Sequence, residues 1–252
     1  RNKQTTLTLS RKIGFFMSKK LSGRITLITG AARGIGAAVA ERFAFEGAHL
    51  ILVSKSQSGL EALDDKIKSI GGNATLVPLD LVNGSNIDDM AAAISKRFGK
   101  IDILIGNAAI LGQLSPMSHY TPEMWEEVFK VNLHANWRLI RDFEQLLRES
   151  DAGRALFVTS GIANIPRAYW GPYSSSKAAL EKMIKDWAME LQNTSVKVNI
   201  IDPGPINTHM RKQAYPGEDP KKNLDPKEIT DLFLELTSSS CTKNGELIKA
   251  QI

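Results

Sequence analysis

Residues 24–36 read RITLITGAARGIG, and this stretch decides the fold. Its first six residues form a short run rich in Ile, Leu and Thr, which is typical of a buried strand. The glycines behind it allow a tight turn, and a helical pattern over 34–46 follows until Gly47 ends it. Such a turn lets backbone N–H groups approach a pyrophosphate, and the helix N-terminus adds a partial positive charge that favours the anion.

Short apolar runs and amphipathic helical patterns alternate along the rest of the chain, without an internal repeat or a linker rich in Pro, Gly and Ser. Uniformly apolar strands between such helices predict a parallel sheet that is covered on both faces. Right-handed crossovers then give an α/β fold with a single doubly wound, Rossmann-like parallel sheet and helices on both faces. Further strands are predicted at 49–53, 74–79, 101–105, 155–159, 196–201 and 246–249. Further helices are predicted at 59–70, 87–98, 122–147, 173–191 and 226–236.

Composition argues against several classes of function. The formal net charge is +5, but seven of the 32 basic residues lie in 1–24, where there is no acidic residue, and the other 25 stand against 27 acidic residues. A nucleic-acid-binding protein carries its basic surface on the folded body, so we expect no nucleic-acid partner. No apolar run approaches the ~20 residues that span a bilayer, so we expect no membrane partner. The single cysteine, Cys241, cannot form an intramolecular disulfide, which agrees with a cytoplasmic location.

The start of the chain differs in character from the rest. Residues 1–16 are basic, rich in hydroxyl groups and free of acidic residues, and Met17 follows them. We expect either that Met17 is the natural start or that the preceding residues are an artefact, and an organelle transit peptide is the weaker alternative. We therefore predict a flexible or artefactual N-terminal arm at 1–20 and a single Rossmann-like catalytic domain at 21–252.

Several short motifs follow one another in fixed order between residues 24 and 210. They are the turn 29–36 in the form TGxxxGIG, Asn107-Ala108-Ala109, Asn132 in the long helix, Ser160, Tyr173 and Lys177 in the form S-x12-Y-x3-K, and Pro203-Gly204 with Thr208. Each motif alone is weak evidence, but their joint order is specific. Together they resemble the short-chain dehydrogenase/reductase family, with Ala109 in place of a glycine. The resemblance implies an oxidoreductase that transfers a hydride between a nicotinamide cofactor and a carbonyl or alcohol substrate.

The chemistry of such a reaction can be argued from the residues themselves. Reduction of a carbonyl requires a proton at its oxygen, and Tyr173 can supply it, although a free phenol has a pKa of about 10. Lys177 lies four residues on, on the same helical face, so its charge is expected to lower that pKa. Ser160, at the end of a predicted strand, can orient the substrate oxygen. The resemblance implies that Asn132 completes a proton relay through water to Lys177, which also binds the nicotinamide ribose.

The end of the second predicted strand indicates which cofactor is used. Enzymes that use NAD often place an acidic residue there for the ribose 2′-hydroxyl, whereas this chain reads Val53-Ser54-Lys55-Ser56. Lys55 and Arg33 could meet a 2′-phosphate instead, although Lys55 could also be a solvated loop charge. We predict that NADP(H) is preferred over NAD(H). The predicted cofactor-binding residues are Gly30, Arg33, Gly34, Ile35, Gly36, Ser54, Lys55, Asp80, Leu81, Asn107, Ala108, Tyr173, Lys177, Pro203, Gly204, Ile206 and Thr208.

The loops that would line a substrate pocket carry mostly apolar or aromatic side chains, which indicates a hydrophobic small-molecule carbonyl or alcohol. The four histidines show no metal-binding spacing, so no catalytic metal is predicted. The segment 212–225 is polar and contains Pro and Gly, so we expect a mobile or unusual lid there. The resemblance implies pocket residues at Ile110, Leu111, Ile162, Pro166, Tyr169, Trp170, Ile206 and Met210.

The partners of the protein are less clearly indicated. Helix 173–191 is apolar around more than one face, so we expect it to form the interface of a homodimer or homotetramer. A 3-oxoacyl-carrier-protein reductase is an alternative function, and its acidic carrier would need a basic docking patch. A non-catalytic cofactor-binding sensor or scaffold is another, because a fold does not guarantee chemistry. The candidate docking patch consists of Arg138, Arg141, Lys182 and Lys185.

Overall fold

Seven parallel strands form one sheet in the computed structural model, which describes residues 19–251. The strands are β1 (Ile25–Thr29), β2 (His49–Ser54), β3 (Asn73–Pro78), β4 (Ile103–Gly106), β5 (Arg154–Val158), β6 (Lys197–Asp202) and β7 (Leu247–Lys249). They lie in the order β3-β2-β1-β4-β5-β6-β7, and every neighbouring pair is parallel. The predicted doubly wound parallel sheet is confirmed. Residues 1–18 of the predicted arm lie outside the described residues, so the division into arm and domain stays a prediction.

Two helical layers cover the sheet. Successive strand residues point to opposite faces, so Leu27 packs with one layer and Ile28 with the other. Burial on both faces explains why the middle positions of the strands are mostly apolar. Within residues 19–251, none of the helices combines the length and the apolar character that a bilayer span requires. The helices are α1 (Gly34–Phe45), α2 (Gln57–Ser69), α3 (Gly84–Phe98), α4 (Pro122–Phe129), α5 (Ala135–Arg148), α6 (Gly171–Glu190), α7 (His209–Ala214) and α8 (Thr230–Thr237).

The helix predicted over 122–147 is divided in the structure. It begins as expected, with Pro122 in the first turn and the Thr121 hydroxyl accepting a hydrogen bond from the Met124 N–H at 3.3 Å. A π-helical segment, Lys130–His134, then separates α4 from α5. Such segments are frequent at functional sites, and this one contains Asn132.

The end of the chain also differs from the prediction. α7 is absent from the predicted elements, although Thr208 begins it by accepting a hydrogen bond from the Arg211 N–H at 3.2 Å. The helix predicted at 226–236 starts as a 3₁₀ turn, Pro226–Ile229, and continues as α8. A capping threonine before a single helical turn is a weak signal, because most such residues lie in ordinary loops.

A buried carboxylate joins the amino ends of β1 and β4. Asp102 is fully buried, and it accepts hydrogen bonds from the Ile25 N–H at 2.8 Å, the Ser150 hydroxyl at 2.6 Å and the Lys100 ammonium at 3.0 Å. The Arg24 guanidinium lies 3.8 Å away. Burial alone would raise the pKa of Asp102, but these bonds and charges outweigh it and hold the pKa below its usual value.

Asp102→Ala is expected to lower the free energy of unfolding by about 2–4 kcal/mol, because the buried Ser150 hydroxyl and the Ile25 N–H lose their acceptor. Asp151→Ala is the matched control: Asp151 also pairs with Arg24, at 2.8 Å, but its side chain is 81% exposed. It should cost less than about 1 kcal/mol. Chemical denaturation at neutral pH measures both losses, and equal losses would contradict the role given to Asp102.

The same carboxylate predicts a pH dependence. The pKa of Asp102 is lower in the folded chain than its usual value, so its contribution is present above about pH 4 and is lost as the pH falls further. The stability difference between the wild type and Asp102→Ala should therefore shrink in acid.

Candidate active site

A cleft of about 740 Å³ opens at the carboxyl ends of the strands. It lies where the chain leaves β1 and β4 towards opposite edges of the sheet. Parallel sheets bind ligands at this switch point, because the loops diverge and leave a crevice. Within residues 19–251, no group of three or more His, Cys, Asp or Glu side chains could hold a metal ion. Of the predicted catalytic and cofactor-binding residues, all line the cleft except Gly36 and Asn132.

The turn after β1 has a shape that requires glycine. Gly30 and Gly34 have positive φ angles of 65° and 60°. Gly36 is constrained by space, since a Cβ there would lie 2.4 Å from the Gly30 carbonyl oxygen and 2.7 Å from the Asn107 side chain. The Asn107 amide donates hydrogen bonds to the Thr29 and Gly30 carbonyls at 2.9 and 3.2 Å, which ties the turn to the end of β4.

The N-terminus of α1 faces the cleft without a side-chain cap. Arg33 occupies the N-cap position but provides no capping hydrogen bond, and the first turn contains no acidic residue. Uncapped N–H groups at the start of a helix carry a partial positive charge and bind phosphate oxygens. Because the glycines keep side chains away from these N–H groups, the turn fits the diphosphate of a dinucleotide.

Two exposed cations line the cleft: Lys55 directly follows β2, and Arg33 lies in the glycine turn after β1. The ion pairs found within residues 19–251 involve neither of them. The Ser56 hydroxyl caps α2 by accepting an N–H bond at 3.2 Å, so its own proton is available to a ligand. Asp80 accepts a hydrogen bond from the Val82 N–H at 3.0 Å. This end of the cleft therefore offers positive charge and a hydroxyl donor to an anionic group.

The segment 203–208 forms the opposite wall. The Gln251 side chain donates a hydrogen bond to the Pro203 carbonyl at 2.7 Å and holds this segment in place. The Thr208 methyl group would lie 3.4 Å from a Cβ built at Gly34. The wall and the glycine turn therefore approach each other closely, as two sides of one ligand site would.

Tyr173 and Ser160 meet between these walls. Tyr173 lies in the first turn of α6, and Ser160 follows β5. Burial raises the pKa of Tyr173 to about 12, the Ser160 hydroxyl opposes this rise, and the Asp202 carboxylate adds to it. The phenol is therefore protonated at neutral pH and is able to donate a proton.

Lys177 lies one helical turn beyond Tyr173. Its ammonium is buried, lies 6.0 Å from the centre of the Tyr173 ring and donates a hydrogen bond to the Val158 carbonyl at 2.7 Å. Burial lowers the pKa of Lys177 to about 8, against the opposing effect of the Glu181 carboxylate. The sequence predicts a lowered pKa for Tyr173, but the structure raises it, because burial of the phenol outweighs its hydrogen bond with the Ser160 hydroxyl.

The Asn132 side chain is fully buried and fastens the loop after β4. Its oxygen accepts a hydrogen bond from the Ile110 N–H at 2.9 Å, and its nitrogen donates to the Ile110 carbonyl at 3.0 Å and to the Ser176 hydroxyl at 3.1 Å. These bonds occupy the amide group, so a relay through Asn132 would have to use its main-chain carbonyl. That carbonyl lies in the π-helical segment and accepts a hydrogen bond from the Asn136 side chain at 2.8 Å.

Aromatic side chains line the part of the cleft beside Tyr173. The Trp170 ring lies 5.8 Å from the Tyr173 ring and 5.9 Å from the Tyr215 ring. Tyr215 is missing from the predicted site residues, because the polar segment 212–225 gives no sign that one aromatic residue turns inward. Of the predicted pocket residues, Ile110, Leu111, Trp170, Ile206 and Met210 line the cleft, whereas Ile162, Pro166 and Tyr169 do not.

The segment predicted as a lid is held by charged bonds. The Glu218 carboxylate accepts two hydrogen bonds from the Arg211 guanidinium, at 2.6 and 2.5 Å, and one from the Asn223 amide at 2.9 Å. The Arg211 guanidinium also lies 3.9 Å from the centre of the Tyr215 ring. These contacts hold the part of the segment that contains Tyr215, whose side chain lines the cleft.

α6 buries most of its apolar side chains within the chain. Leu180, Ile184 and Trp187 belong to the core beside the sheet, whereas Met189 is 64% exposed. The apolar surface left for a subunit interface is therefore smaller than the sequence indicates. The homodimer or homotetramer stays a prediction.

Comparison with known proteins identifies the family. The family model described as short chain dehydrogenase matches residues 24–219. The oxidoreductase YciK of Escherichia coli strain K12 is 36% identical over 235 residues, which cover 92% of this chain and 93% of that protein. A short chain dehydrogenase from Shigella flexneri 2a, solved as a complex with NADP, is 35% identical with a TM-score of 0.89, over 93% of this chain and 100% of that one. The 3-oxoacyl-[acyl-carrier-protein] reductase FabG of Vibrio cholerae is 32% identical over 226 residues, 86% of this chain and 91% of that protein. With this fold, this glycine turn and these matches, the chain belongs to the short-chain dehydrogenase/reductase family.

Proposed function

We propose that this protein is an oxidoreductase that transfers a hydride between NADP(H) and the C=O or CH–OH group of a small molecule. The observation that carries the proposal is the presence of Ser160, Tyr173 and Lys177 in the same cleft as a glycine turn suited to a diphosphate. Membership of a family of oxidoreductases supports it. The aromatic wall formed by Trp170 and Tyr215 favours a substrate with an apolar body.

A bound nicotinamide would supply the hydride, and residues of the chain supply the remaining requirements. The Tyr173 phenol, protonated because its pKa is raised to about 12, donates a proton to the substrate oxygen. The Ser160 hydroxyl, which faces that phenol, orients the same oxygen. The Lys177 ammonium stabilises the negative charge that develops on the phenol oxygen as the proton leaves, and its other N–H groups can bind a ribose hydroxyl. We assign a water-mediated proton relay to the Asn132 carbonyl.

The preference for NADP(H) over NAD(H) is proposed from the charges at the end of β2. Lys55 is exposed there, Arg33 is exposed in the glycine turn that lines the same cleft, and a 2′-phosphate would satisfy both of them. The relative from Shigella flexneri was solved with NADP, which agrees with this preference.

Lys55→Glu is expected to weaken NADPH binding by about tenfold or more, because a charge-assisted bond to the 2′-phosphate is replaced by repulsion. NADH has no phosphate at that position, so its binding should not weaken, and the new carboxylate is able to accept a hydrogen bond from the ribose 2′-hydroxyl and strengthen it. Parallel titrations that follow nicotinamide fluorescence measure both constants in each variant. Lys185→Glu, an exposed charge on α6 that does not line the cleft, is the matched control.

The same titrations test the proposed function. Tighter binding of NADH than of NADPH by the wild type, or an unchanged preference in Lys55→Glu, would overturn the choice of cofactor. Binding of neither nucleotide would overturn the enzyme proposal itself. Tight binding of NADPH would justify a screen of carbonyl compounds.

A carrier-linked substrate is the main alternative, and the similarity to FabG favours it. The basic patch that would dock an acidic carrier is largely neutralised, however. Arg138 and Arg141 both pair with Asp88, at 3.0 and 2.5 Å, and Lys182 pairs with Asp186. A neutralised patch attracts an acidic partner weakly, so we favour a free small-molecule substrate. Activity that is confined to carrier-linked substrate and is lost at high salt would reverse this choice.

A non-catalytic sensor is a further alternative. It would need the glycine turn and the cations, but not a buried phenol beside a serine hydroxyl and a buried ammonium. The chain keeps all three groups at the cleft, which supports an enzyme. Turnover of any carbonyl compound by the wild type would exclude the sensor.

A further inference from the structure

Glu181 is a buried carboxylate that the proposed reaction does not yet use. It lies on α6, four residues beyond Lys177 and eight beyond Tyr173, so the three side chains emerge on one helical face. Only 4% of its surface is exposed. Burying a carboxylate is unfavourable unless hydrogen bonds and charge compensate it, so the partners of Glu181 indicate its purpose.

The Glu181 carboxylate ties both ends of the turn that carries Ser160 to α6. Its Oε1 accepts a hydrogen bond from the Thr159 hydroxyl at 2.7 Å, and the Asn164 amide donates to both oxygens, at 3.2 and 3.0 Å. Thr159 directly precedes Ser160, and Asn164 follows the 3₁₀ turn that comes after it. Since Tyr173 belongs to the same helix as Glu181, these bonds help to set the position of the Ser160 hydroxyl relative to the phenol.

Glu181 also places a buried negative charge one helical turn from Lys177. The hydrogen bonds to Glu181 come from neutral donors, and the Lys177 ammonium bonds a neutral carbonyl. In the poorly polarisable interior, the two opposite charges stabilise each other across the turn between them. Glu181 accordingly opposes the fall in the pKa of Lys177 that burial causes.

Other charged groups around this pair come from the elements that pack against α6, namely β6, α4, the π-helical segment and the 3₁₀ turn 161–163. Asp202 of β6 faces Tyr173, and one of its carboxylate oxygens accepts a hydrogen bond from the Gly204 N–H at 3.0 Å. Lys197, at the opposite end of β6, donates to a loop carbonyl at 3.3 Å. The other charged or titratable side chains of these elements and of α6 are exposed: Glu123, Glu126, Glu127, Lys130, His134, Lys182, Lys185, Asp186 and Glu190.

We propose that Glu181 is a positioning residue: its carboxylate holds the turn that bears Ser160 against α6 and supplies the buried counter-charge of Lys177. The proposal rests on the function proposed above, because it gives Glu181 a role only if Ser160, Tyr173 and Lys177 carry out the reaction. Glu181 does not line the cleft, so it acts through these residues and not on the substrate or the cofactor.

Glu181→Gln removes the charge but keeps the shape of the side chain and an acceptor for Thr159. At saturating NADPH, with a carbonyl compound that the wild type reduces, kcat should fall by about tenfold or more. NADPH affinity, measured by nicotinamide fluorescence, should change by less than about twofold, because the cofactor cleft is untouched.

The pH profile separates this role from a merely structural one. Reduction needs the Lys177 ammonium, so activity is lost as the pH rises through the pKa of Lys177. Without the neighbouring carboxylate this pKa falls further, and the alkaline limb of kcat/KM should move to lower pH by about one unit. Thr159→Val removes the hydrogen bond from the Thr159 hydroxyl to Glu181 and keeps the charge of the carboxylate. We therefore expect kcat to fall while the alkaline limb of the pH profile stays at the same pH. Glu190→Gln, an exposed charge on the same helix, should change neither quantity.

Each result decides the proposal. An active wild type together with a Glu181→Gln variant of unchanged kcat and unchanged pH profile would overturn it and leave the proposed function standing. A wild type that reduces no carbonyl compound would instead refute the proposed function. If Glu181→Gln does not fold, Asn164→Ala serves in its place, because Asn164 is exposed and bonds the same carboxylate. A lowered kcat with intact NADPH affinity would then support the proposal, and wild-type kcat in both Asn164→Ala and Thr159→Val would overturn it.

Discussion

Tyr173→Phe is expected to lower kcat for carbonyl reduction by about 10²- to 10⁴-fold, the usual contribution of a positioned acid. The Tyr173 phenol combines burial at the cleft with protonation at neutral pH, since its pKa is raised to about 12. The Ser160 hydroxyl beside it is a much weaker acid and cannot replace it. In the variant, water would have to deliver the proton without a fixed position.

The fold and the cofactor site should survive this change. Phenylalanine keeps the ring, so the contact with Trp170 at 5.8 Å is preserved. The Tyr173 side chain lines the cleft, so the Ser160 hydroxyl beside it can bond water in the variant, and the free energy of unfolding should change by less than about 1 kcal/mol. NADPH affinity should fall by no more than about threefold, because the glycine turn and the cations remain. A large loss of kcat with intact NADPH binding assigns the defect to the chemical step.

Tyr215→Phe is the matched control, because it removes another phenol hydroxyl from the wall of the same cleft. Its kcat should remain within about tenfold of the wild type, since it loses a wall contact and not the proton donor. Consumption of NADPH, followed by absorbance in both variants, provides the comparison. If Tyr173→Phe keeps more than about a tenth of the wild-type kcat, the proton comes from another group and the proposed mechanism is wrong.

The parts of the fold that the sequence predicts are those governed by local patterns. Successive strand residues such as Leu27 and Ile28 are both apolar, because each faces a different helical layer. A parallel sheet can therefore be predicted from the apolar run of each single strand. The cleft could be placed from the same information, since the glycine turn follows the first strand. The π-helical segment escaped prediction, because the bonds of Asn132 to Ile110 and Ser176 cross 22 and 44 residues of sequence.

The pKa values of the site residues were harder to predict from the sequence than which residues form the site. A spacing of four residues places Lys177 near Tyr173, but it does not reveal that both groups are buried, and burial decides the direction of both pKa changes. Glu181 had a signal of its own, because it repeats the same spacing after Lys177. The spacing alone does not indicate a role for Glu181, because its hydrogen-bond partners, Thr159 and Asn164, lie outside α6 and are known only from the structure.

Gly36→Ala is expected to raise the dissociation constant of NADPH by about 100-fold, or about 2.7 kcal/mol. The added methyl group would lie 2.4 Å from the Gly30 carbonyl oxygen and 2.7 Å from the Asn107 amide, so the turn that faces the diphosphate must shift. The methyl group would clash with the Gly30 backbone and with the Asn107 amide, which already donates a hydrogen bond to the Thr29 carbonyl. Neither group can move away without distorting the turn or breaking that hydrogen bond. Overpacking of this kind should also lower the free energy of unfolding by about 1–3 kcal/mol, which a chain of this size should tolerate.

Gly217→Ala is the matched control, because a Cβ at Gly217 would meet no atom within 4 Å. Thermal unfolding with and without NADPH distinguishes loss of binding from loss of stability. A ligand present at 100 times its dissociation constant stabilises the folded chain by about 2.7 kcal/mol, so NADPH should raise the Tm of the wild type and of Gly217→Ala. At the same concentration the Tm of Gly36→Ala should barely respond, even after its lower starting value is taken into account. A full response to NADPH in Gly36→Ala would show that the turn can shift without cost to the diphosphate, and the assignment of the turn to cofactor binding would then be wrong.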